Sequence, residues 1–165
     1  MAALNPGTIA PDFTLPAMNG PRFSLHEALT RGPVLAAFFK ISCPVCQYAF
    51  PFLQRIYEAY GNKNVTIVGV SQNGQKDTAA FIKEYGVTFP VLLDDTENYP
   101  VSNAYGLTNV PTSFWIAPDG EVEISSVGWL RKDVEEFSRL AAEASGTGPR
   151  LLFRPEEQVA DFRAG

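Results

Sequence analysis

The amino-acid sequence predicts a mixed α/β fold in which helices sandwich a central β-sheet. Three observations lead to this prediction. The run Val34–Phe39 is wholly apolar, as in a strand that is covered on both faces. Strand-like and helix-like segments alternate along the middle of the chain, and a late hairpin precedes an amphipathic helix. This order is typical of an α/β or α+β sandwich.

Residues 10–30 predict an irregular or hairpin-like start to the fold. Phe13 and Leu15 alternate with a polar residue, and an Asn-Gly-Pro turn follows them. Ser24 has a side chain suited to a helix cap, so a short helix is expected over 25–29. A Gly-Pro pair ends that helix before the apolar strand begins.

The segment 44–60 predicts a long helix. Its apolar side chains recur at helical spacing, at Phe50, Leu53, Ile56, Tyr57 and Tyr60. Pro51 lies inside this helix, where it removes one backbone hydrogen bond and bends the axis. Gly61 is a natural end for the helix.

Further strands and helices follow in alternation. Strands are predicted over 65–70, 90–93, 112–117 and 121–127, and helices over 75–85, 97–105 and 131–144. The helix over 75–85 is expected to face inward at Ala79, Phe81, Ile82 and Tyr85. A Pro-Asp-Gly sequence at 118–120 predicts a tight turn between the last two strands.

The domain organisation predicted is one domain over residues 1–145 and an extension over 146–165. A Gly-Thr-Gly-Pro sequence separates the two. The extension is too apolar for a solvated tail, with Leu151, Leu152, Phe153, Val159 and Phe162. It is therefore expected to dock on the domain or on a partner.

Charge and hydropathy narrow the possible partners. The formal net charge of the 165 residues is −5, which excludes a broad positive field for nucleic acid or anionic lipid. No apolar run approaches the roughly 20 residues of a membrane span. The first residues lack the basic and apolar regions of an export signal. The chain is expected to be a cytoplasmic monomer, or periplasmic or extracytoplasmic if a signal or anchor is missing from the sequence.

The chain contains two cysteines, in the sequence Cys43-Pro44-Val45-Cys46 between the apolar strand and the long helix. Only a thiolate attacks a disulfide, and the amides at a helix N-terminus stabilise an anion. Cys43 is therefore the predicted nucleophile. Cys46 lies one helical turn further in and is the predicted resolving thiol. Pro44 suits the first helical turn, where no backbone donor is needed.

Three other interpretations of the cysteine pair carry less weight. Both thiols could be inert and buried, since a bare Cys-x-x-Cys pattern also occurs by chance. Half of a zinc site would need a second ligand pair, and no further cysteine is present. A Cys–His hydrolase would need His26, the single histidine, to reach Cys43.

A second feature is the sequence Val110-Pro111-Thr112, directly before a predicted strand. Proline in this position is usually a turn or edge residue. A cis peptide bond facing the cysteines would leave the backbone of Val110 free to pair with an extended substrate, and would keep metals from the thiolates. About 5–6% of X–Pro bonds are cis in folded proteins, so the cis form is a hypothesis. Pro44, Val110, Pro111 and Thr112 are the predicted substrate-binding residues.

Together these features resemble the thioredoxin-like superfamily, closest to its TlpA/ResA-like and AhpC/TSA (redoxin) branch. The resemblance covers about residues 7–144. It rests on the motif Ala10-Pro11-Asp12-Phe13-Thr14-Leu15, the strand and cysteine pair, Pro51, Val110-Pro111-Thr112 and the turn 118–120. It implies a thioredoxin fold, to which the N-terminal hairpin and the C-terminal tail predicted above are added. It also implies dithiol–disulfide exchange with a protein partner, without a cofactor other than the Cys43–Cys46 disulfide.

The chain departs from the family pattern at three positions. Ala37 and Ala49 stand where thioredoxins and ResA-like proteins, respectively, have a carboxylate that handles the proton of the buried thiol. Water, backbone or another group must then take the proton of Cys46. The aromatic residue that often precedes the first cysteine is replaced by Ser42.

Lys40, three residues before Cys43, is a candidate for tuning the pKa of that thiol. Its ammonium would favour the thiolate and make the protein more oxidising. The simpler alternative is a lysine that extends into solvent at a strand end.

Two further functions remain as alternatives. A peroxiredoxin-like thiol peroxidase needs a Pro-x-x-x-Thr-x-x-Cys sequence, in which the threonine lies three residues before the cysteine. Lys40 lies three residues before Cys43, and Cys43 lies three residues before Cys46, so neither cysteine has this threonine. A partner-binding or metallochaperone module would need a downstream histidine, whereas His26 lies upstream. The sequence therefore favours a thiol–disulfide oxidoreductase.

Overall fold

The computed structural model describes residues 3–61 and 63–165. Residues 1, 2 and 62, all within the predicted domain 1–145, lie outside the described residues. The strands are β1 (Thr14–Leu15), β2 (Phe23–Ser24), β3 (Val34–Phe39), β4 (Thr66–Ser71), β5 (Val91–Leu93), β6 (Thr112–Ile116), β7 (Val122–Val127), β8 (Trp129–Leu130) and β9 (Phe162–Arg163). The helices are α1 (Leu25–Leu29), α2 (Pro44–Tyr60), α3 (Gln75–Tyr85), α4 (Pro100–Ala104) and α5 (Arg131–Ser145).

The central sheet has five strands in the order β5-β4-β3-β6-β7. β3 runs parallel to β4 and antiparallel to β6, so Ala36 lies between Val68 and Phe114. β1 and β2 form the separate antiparallel hairpin expected near the N-terminus. The predicted sandwich fold with an N-terminal hairpin is confirmed.

β3 is apolar throughout because each of its faces covers a different core. Leu35, Ala37 and Phe39 belong to the cluster that contains residues of α2 and α5. Their neighbours Val34, Ala36 and Phe38 belong to the opposite cluster, with residues of β1 and α1. Because both faces of this central strand are buried, neither face has room for an exposed polar side chain.

Two details of the sequence prediction were wrong. α4 begins at Pro100 instead of 97, because proline suits the first turn and buried Asp94 accepts hydrogen bonds from the N–H groups of Val101 and Ser102. In α3, Ala79 is exposed, and its neighbour Thr78 is buried with its hydroxyl 2.7 Å from that of Ser71. Several strand ends shift by one residue, within the usual uncertainty of such boundaries.

Residues 150–163 lie against α2 and β8. The Phe153 ring packs on Phe52 with centroids 5.3 Å apart, and Arg55 forms two hydrogen bonds to Glu157, of 2.8 and 2.6 Å. Further along, β9 pairs antiparallel with β8. These contacts bring the end of the extension to the face of the domain where β3 leads into α2.

Within residues 3–61 and 63–165, no helix combines the length and apolar character needed to cross a membrane.

Candidate active site

The cysteine pair lies at the turn between β3 and α2. Cys43 is the N-cap of α2, and the backbone N–H of Cys46 donates a hydrogen bond to the Cys43 sulfur at 3.2 Å. Pro44 occupies the first helical turn and is exposed. The N-terminal amides and the dipole of a 17-residue helix therefore face the Cys43 sulfur.

The loop before β6 lies directly beside Cys43. The Val110–Pro111 peptide bond is cis, and the Cys43 thiol donates to the Val110 carbonyl at 3.4 Å. The two residues are 67 positions apart in the sequence. Tertiary packing thus joins the two features that the sequence singled out separately.

The two thiols differ in access to solvent. Both are free thiols in this structure; Cys43 is partly exposed, whereas Cys46 is fully buried. Burial raises the pKa of Cys46, and the hydrogen bond with Cys43 raises it further. An incoming disulfide therefore meets Cys43 first.

The residues of the cis-proline loop differ in burial and in their hydrogen bonds. Val110 is half-buried and turns its carbonyl toward Cys43, whereas Pro111 is buried. Thr112 is wholly buried, and its hydroxyl donates to the Asn109 carbonyl at 2.8 Å, so its side chain holds the loop together. Binding of substrate by these residues and by Pro44 stays a prediction.

Two positioning residues escaped the sequence analysis. The side-chain oxygen of Asn73 accepts a hydrogen bond from the Ile41 N–H at 2.9 Å, and the Gln47 amide donates to the Ile41 carbonyl at 2.9 Å. Together they hold the loop that leads to Cys43. A signal for Asn73 did exist, because it follows β4, whose carboxyl end lies beside that of its parallel neighbour β3.

The two positions at which thioredoxins or ResA-like proteins carry a carboxylate near the buried thiol hold alanine in this chain. Ala37 and Ala49 are both buried in the same apolar cluster as Cys46. His26 is exposed, and its backbone N–H donates to Asp12. In the part of the chain that the structure describes, no group of three or more His, Cys, Asp or Glu residues could hold a metal ion.

Lys40 is exposed and lines a cleft with Gln72, Asn109 and Val110. Its influence on Cys43 stays a prediction. We expect Lys40→Ala to slow alkylation of Cys43 by neutral iodoacetamide at pH 7 about twofold, because an exposed charge contributes roughly 0.2–1 kcal/mol in water. Lys40→Arg keeps the charge and serves as control. Equal rates in all three proteins would contradict a tuning role.

A dithiol at a helix N-terminus, facing a cis-proline loop on a mixed five-stranded sheet, defines a thioredoxin-like dithiol protein. The chain belongs to the AhpC/TSA family, whose model matches residues 6–125. The family resemblance predicted from the sequence is therefore confirmed.

Two relatives and two solved structures show the same class. The thiol-disulfide oxidoreductase ResA of Halalkalibacterium halodurans is 32% identical over 136 residues, which are 81% of this chain and 76% of that protein. ResA of Geobacillus thermodenitrificans is 30% identical, over 77% of this chain and 72% of that protein.

Among solved structures, a thiol:disulfide interchange protein of the thioredoxin family from Chlorobium tepidum matches with a TM-score of 0.70 and 26% identity. The match covers 88% of this chain and 100% of that one. The thioredoxin domain of a thiol-disulfide oxidoreductase from Bacteroides vulgatus matches with a TM-score of 0.72 and 26% identity, covering 82% and 99%.

Proposed function

We propose that Cys43 and Cys46 are the catalytic dithiol of a thiol–disulfide oxidoreductase that acts on an extended segment of a protein partner. One observation carries the proposal: the partly exposed Cys43 sulfur lies at the N-terminus of α2, 3.4 Å from the Val110 carbonyl, with Cys46 buried behind it. The thiol-disulfide oxidoreductases among its relatives support the same chemistry.

The reaction proceeds in two exchanges. The Cys43 thiolate attacks one sulfur of the partner disulfide, forms a mixed disulfide and releases the other partner sulfur as a thiolate. The Cys46 thiolate then attacks the Cys43 sulfur, which closes the Cys43–Cys46 disulfide and releases the second partner thiolate. Two electrons pass to the partner, and the two protons from the cysteines are returned to the partner thiolates through solvent. The reverse sequence oxidises a dithiol, and the relative reduction potentials decide the net direction.

The protein segment that reacts needs an extended backbone. The Val110 carbonyl already accepts a hydrogen bond from the resting Cys43 thiol. A thiolate or a mixed disulfide has no S–H to donate. In those states the Val110 carbonyl is therefore able to accept a hydrogen bond from a backbone N–H of the partner. Strand-like pairing of this kind recognises any extended sequence, because main-chain groups supply the contacts.

The second exchange is expected to depend strongly on pH. Burial is the main cause of the raised pKa of Cys46, and it persists when Cys43 is in a mixed disulfide. Below that pKa, the thiolate fraction and the rate of release rise about tenfold for each pH unit. Rapid-quench measurement of peptide-thiol release from the mixed disulfide, between pH 6 and 9, checks this slope. A flat profile would contradict rate control by Cys46 ionisation.

The function itself is tested with two substrates. Reduced protein is supplied with insulin disulfides in one reaction and with hydrogen peroxide in another, with a small-molecule reductant in both. We expect catalysed insulin reduction and peroxide consumption no faster than with an equal concentration of a simple dithiol. Rapid peroxide turnover without insulin reduction would instead establish a thiol peroxidase.

A further inference from the structure

Residues 161–165, here called the strap, lie on the surface beside Cys43. β9 within the strap pairs antiparallel with β8, with Arg163 opposite Trp129 and Phe162 opposite Leu130. The Arg131 N–H donates to the Asp161 carbonyl at 2.9 Å and extends this pairing. β8 and β9 form a two-stranded sheet that is separate from the five-stranded sheet.

The strap continues from β8 to the cis-proline loop. The Asn109 side-chain amide donates to the main-chain oxygen of Gly165 at 3.3 Å. A Cβ atom built on Gly165 would lie only 2.5 Å from the Val110 carbonyl oxygen, and one built on Gly128 would lie 2.6 Å from the Arg163 carbonyl oxygen. The backbone of the strap thus passes between Gly128 and Val110, and the same Val110 carbonyl accepts from the Cys43 thiol.

The residues before the strap are held much more firmly. Phe153 is buried against Phe52. Hydrogen bonds from Arg55 lower the pKa of Glu157 to about 2, so this ion pair persists wherever thiol chemistry operates. Ala160 is held at both backbone groups: its N–H donates to the Tyr48 hydroxyl at 3.0 Å, and its carbonyl accepts from the Trp129 indole at 2.6 Å.

The strap, by contrast, buries little side-chain surface. Phe162 is 60% exposed, and Arg163 and Ala164 are also exposed. Backbone pairing holds it, together with the Arg163 guanidinium 4.1 Å from the centre of the Tyr48 ring. A segment held by main-chain bonds to one strand edge can be exchanged for another extended chain at small cost, because the incoming chain makes the same bonds.

We propose that the β8 edge and the Val110 carbonyl form one docking surface for an extended, disulfide-bearing peptide, and that the strap occupies this surface in the resting protein. The inference rests on the proposed function of Cys43. Backbone atoms of the strap stand where a peptide paired with Val110 would run. The strap must therefore leave β8 before a protein disulfide reaches Cys43, while residues 150–160 stay in place as its hinge. A small disulfide needs no strand pairing and reaches Cys43 with the strap closed.

The test compares two probes with the same leaving group. One is methyl 2-pyridyl disulfide, and the other is a neutral eight-residue peptide whose central cysteine carries the 2-pyridylthio group. Attack by Cys43 forms its mixed disulfide with either probe and releases pyridine-2-thione, which is followed by absorbance. All proteins carry Cys46→Ser, so that only the first exchange is measured.

Two variants open the strap by different means. A chain that ends at Ala160 lacks the strap and keeps the same net side-chain charge, because the charges of the removed Asp161 and Arg163 cancel. Arg163→Pro keeps the length of the chain but removes a backbone donor from β9. Glu156→Gln, at an exposed position outside the strap, is the matched control.

We expect both variants to react at least threefold faster with the peptide, and within twofold of the parent rate with the methyl probe. Folded variants whose peptide rate is unchanged would overturn the proposal, and so would a lower rate, which would make the strap part of the binding surface. If no protein released thione from either probe, the proposed function would fail, and the strap proposal with it.

Discussion

Replacing Cys43 by serine is expected to reduce disulfide exchange at least roughly 1,000-fold, to the rate of the reductant alone. A serine hydroxyl is not ionised near neutral pH and cannot replace a thiolate as nucleophile. Insulin reduction under a small-molecule reductant measures the effect.

The fold should survive this substitution. Cys43 caps α2 by accepting from the Cys46 N–H, and a serine hydroxyl is among the best acceptors in that position. A loss of activity with an unchanged urea midpoint therefore reports on chemistry. Ser42→Ala, at the exposed neighbouring position, is the matched control and should keep the parent activity. Exchange that continued in Cys43→Ser would contradict every function centred on this thiol.

Replacing Cys46 by serine is expected to have the opposite signature, in which turnover stops but a covalent complex accumulates. Cys43 remains partly exposed and still attacks, whereas the group that resolves the mixed disulfide is missing. Non-reducing gel electrophoresis after mixing with a disulfide-bearing protein measures the complex, which should disappear on adding dithiothreitol.

Burial makes a second variant necessary at this position. The Cys46 side chain is fully buried, and an unpaired serine hydroxyl there costs about 1–3 kcal/mol of folding free energy. Cys46→Ala removes the thiol without adding a polar group. Both variants should trap the complex, whereas turnover at the parent rate in either of them would show that Cys43 acts without a resolving partner.

The absence of both usual carboxylates shapes the chemistry of the site. Ala37 and Ala49 complete an apolar environment around Cys46, and this environment is the main reason for its raised pKa. A carboxylate there would accept the proton within the protein. In this chain neither carboxylate can take the proton of Cys46, so the rate of the proposed second exchange is expected to follow the ionisation of that thiol.

Local sequence predicted most of the elements that build the site. β3 was evident from its apolar run, and α2 from its periodic apolar residues and the proline in its first turn. α4 was misplaced because its start depends on Asp94, a buried carboxylate from a different segment whose role no local pattern reveals. Ala79 was predicted to face inward, but Thr78 is the buried residue. Ser71, on β4, forms the hydrogen bond that allows this threonine to be buried.

The sequence by itself predicted which cysteine is the candidate nucleophile, and it correctly predicted which cysteine is buried. It could do so because a strand, a cysteine and a helix start are consecutive and obey short-range geometry. Only the tertiary structure decided which distant residues contact the cysteines and the cis-proline loop. The Val110 carbonyl meets Cys43 across 67 positions of sequence, and Asn109 meets Gly165 at the end of the strap across 56. Such contacts depend on how strands stack and pair, and no periodicity within one segment encodes them.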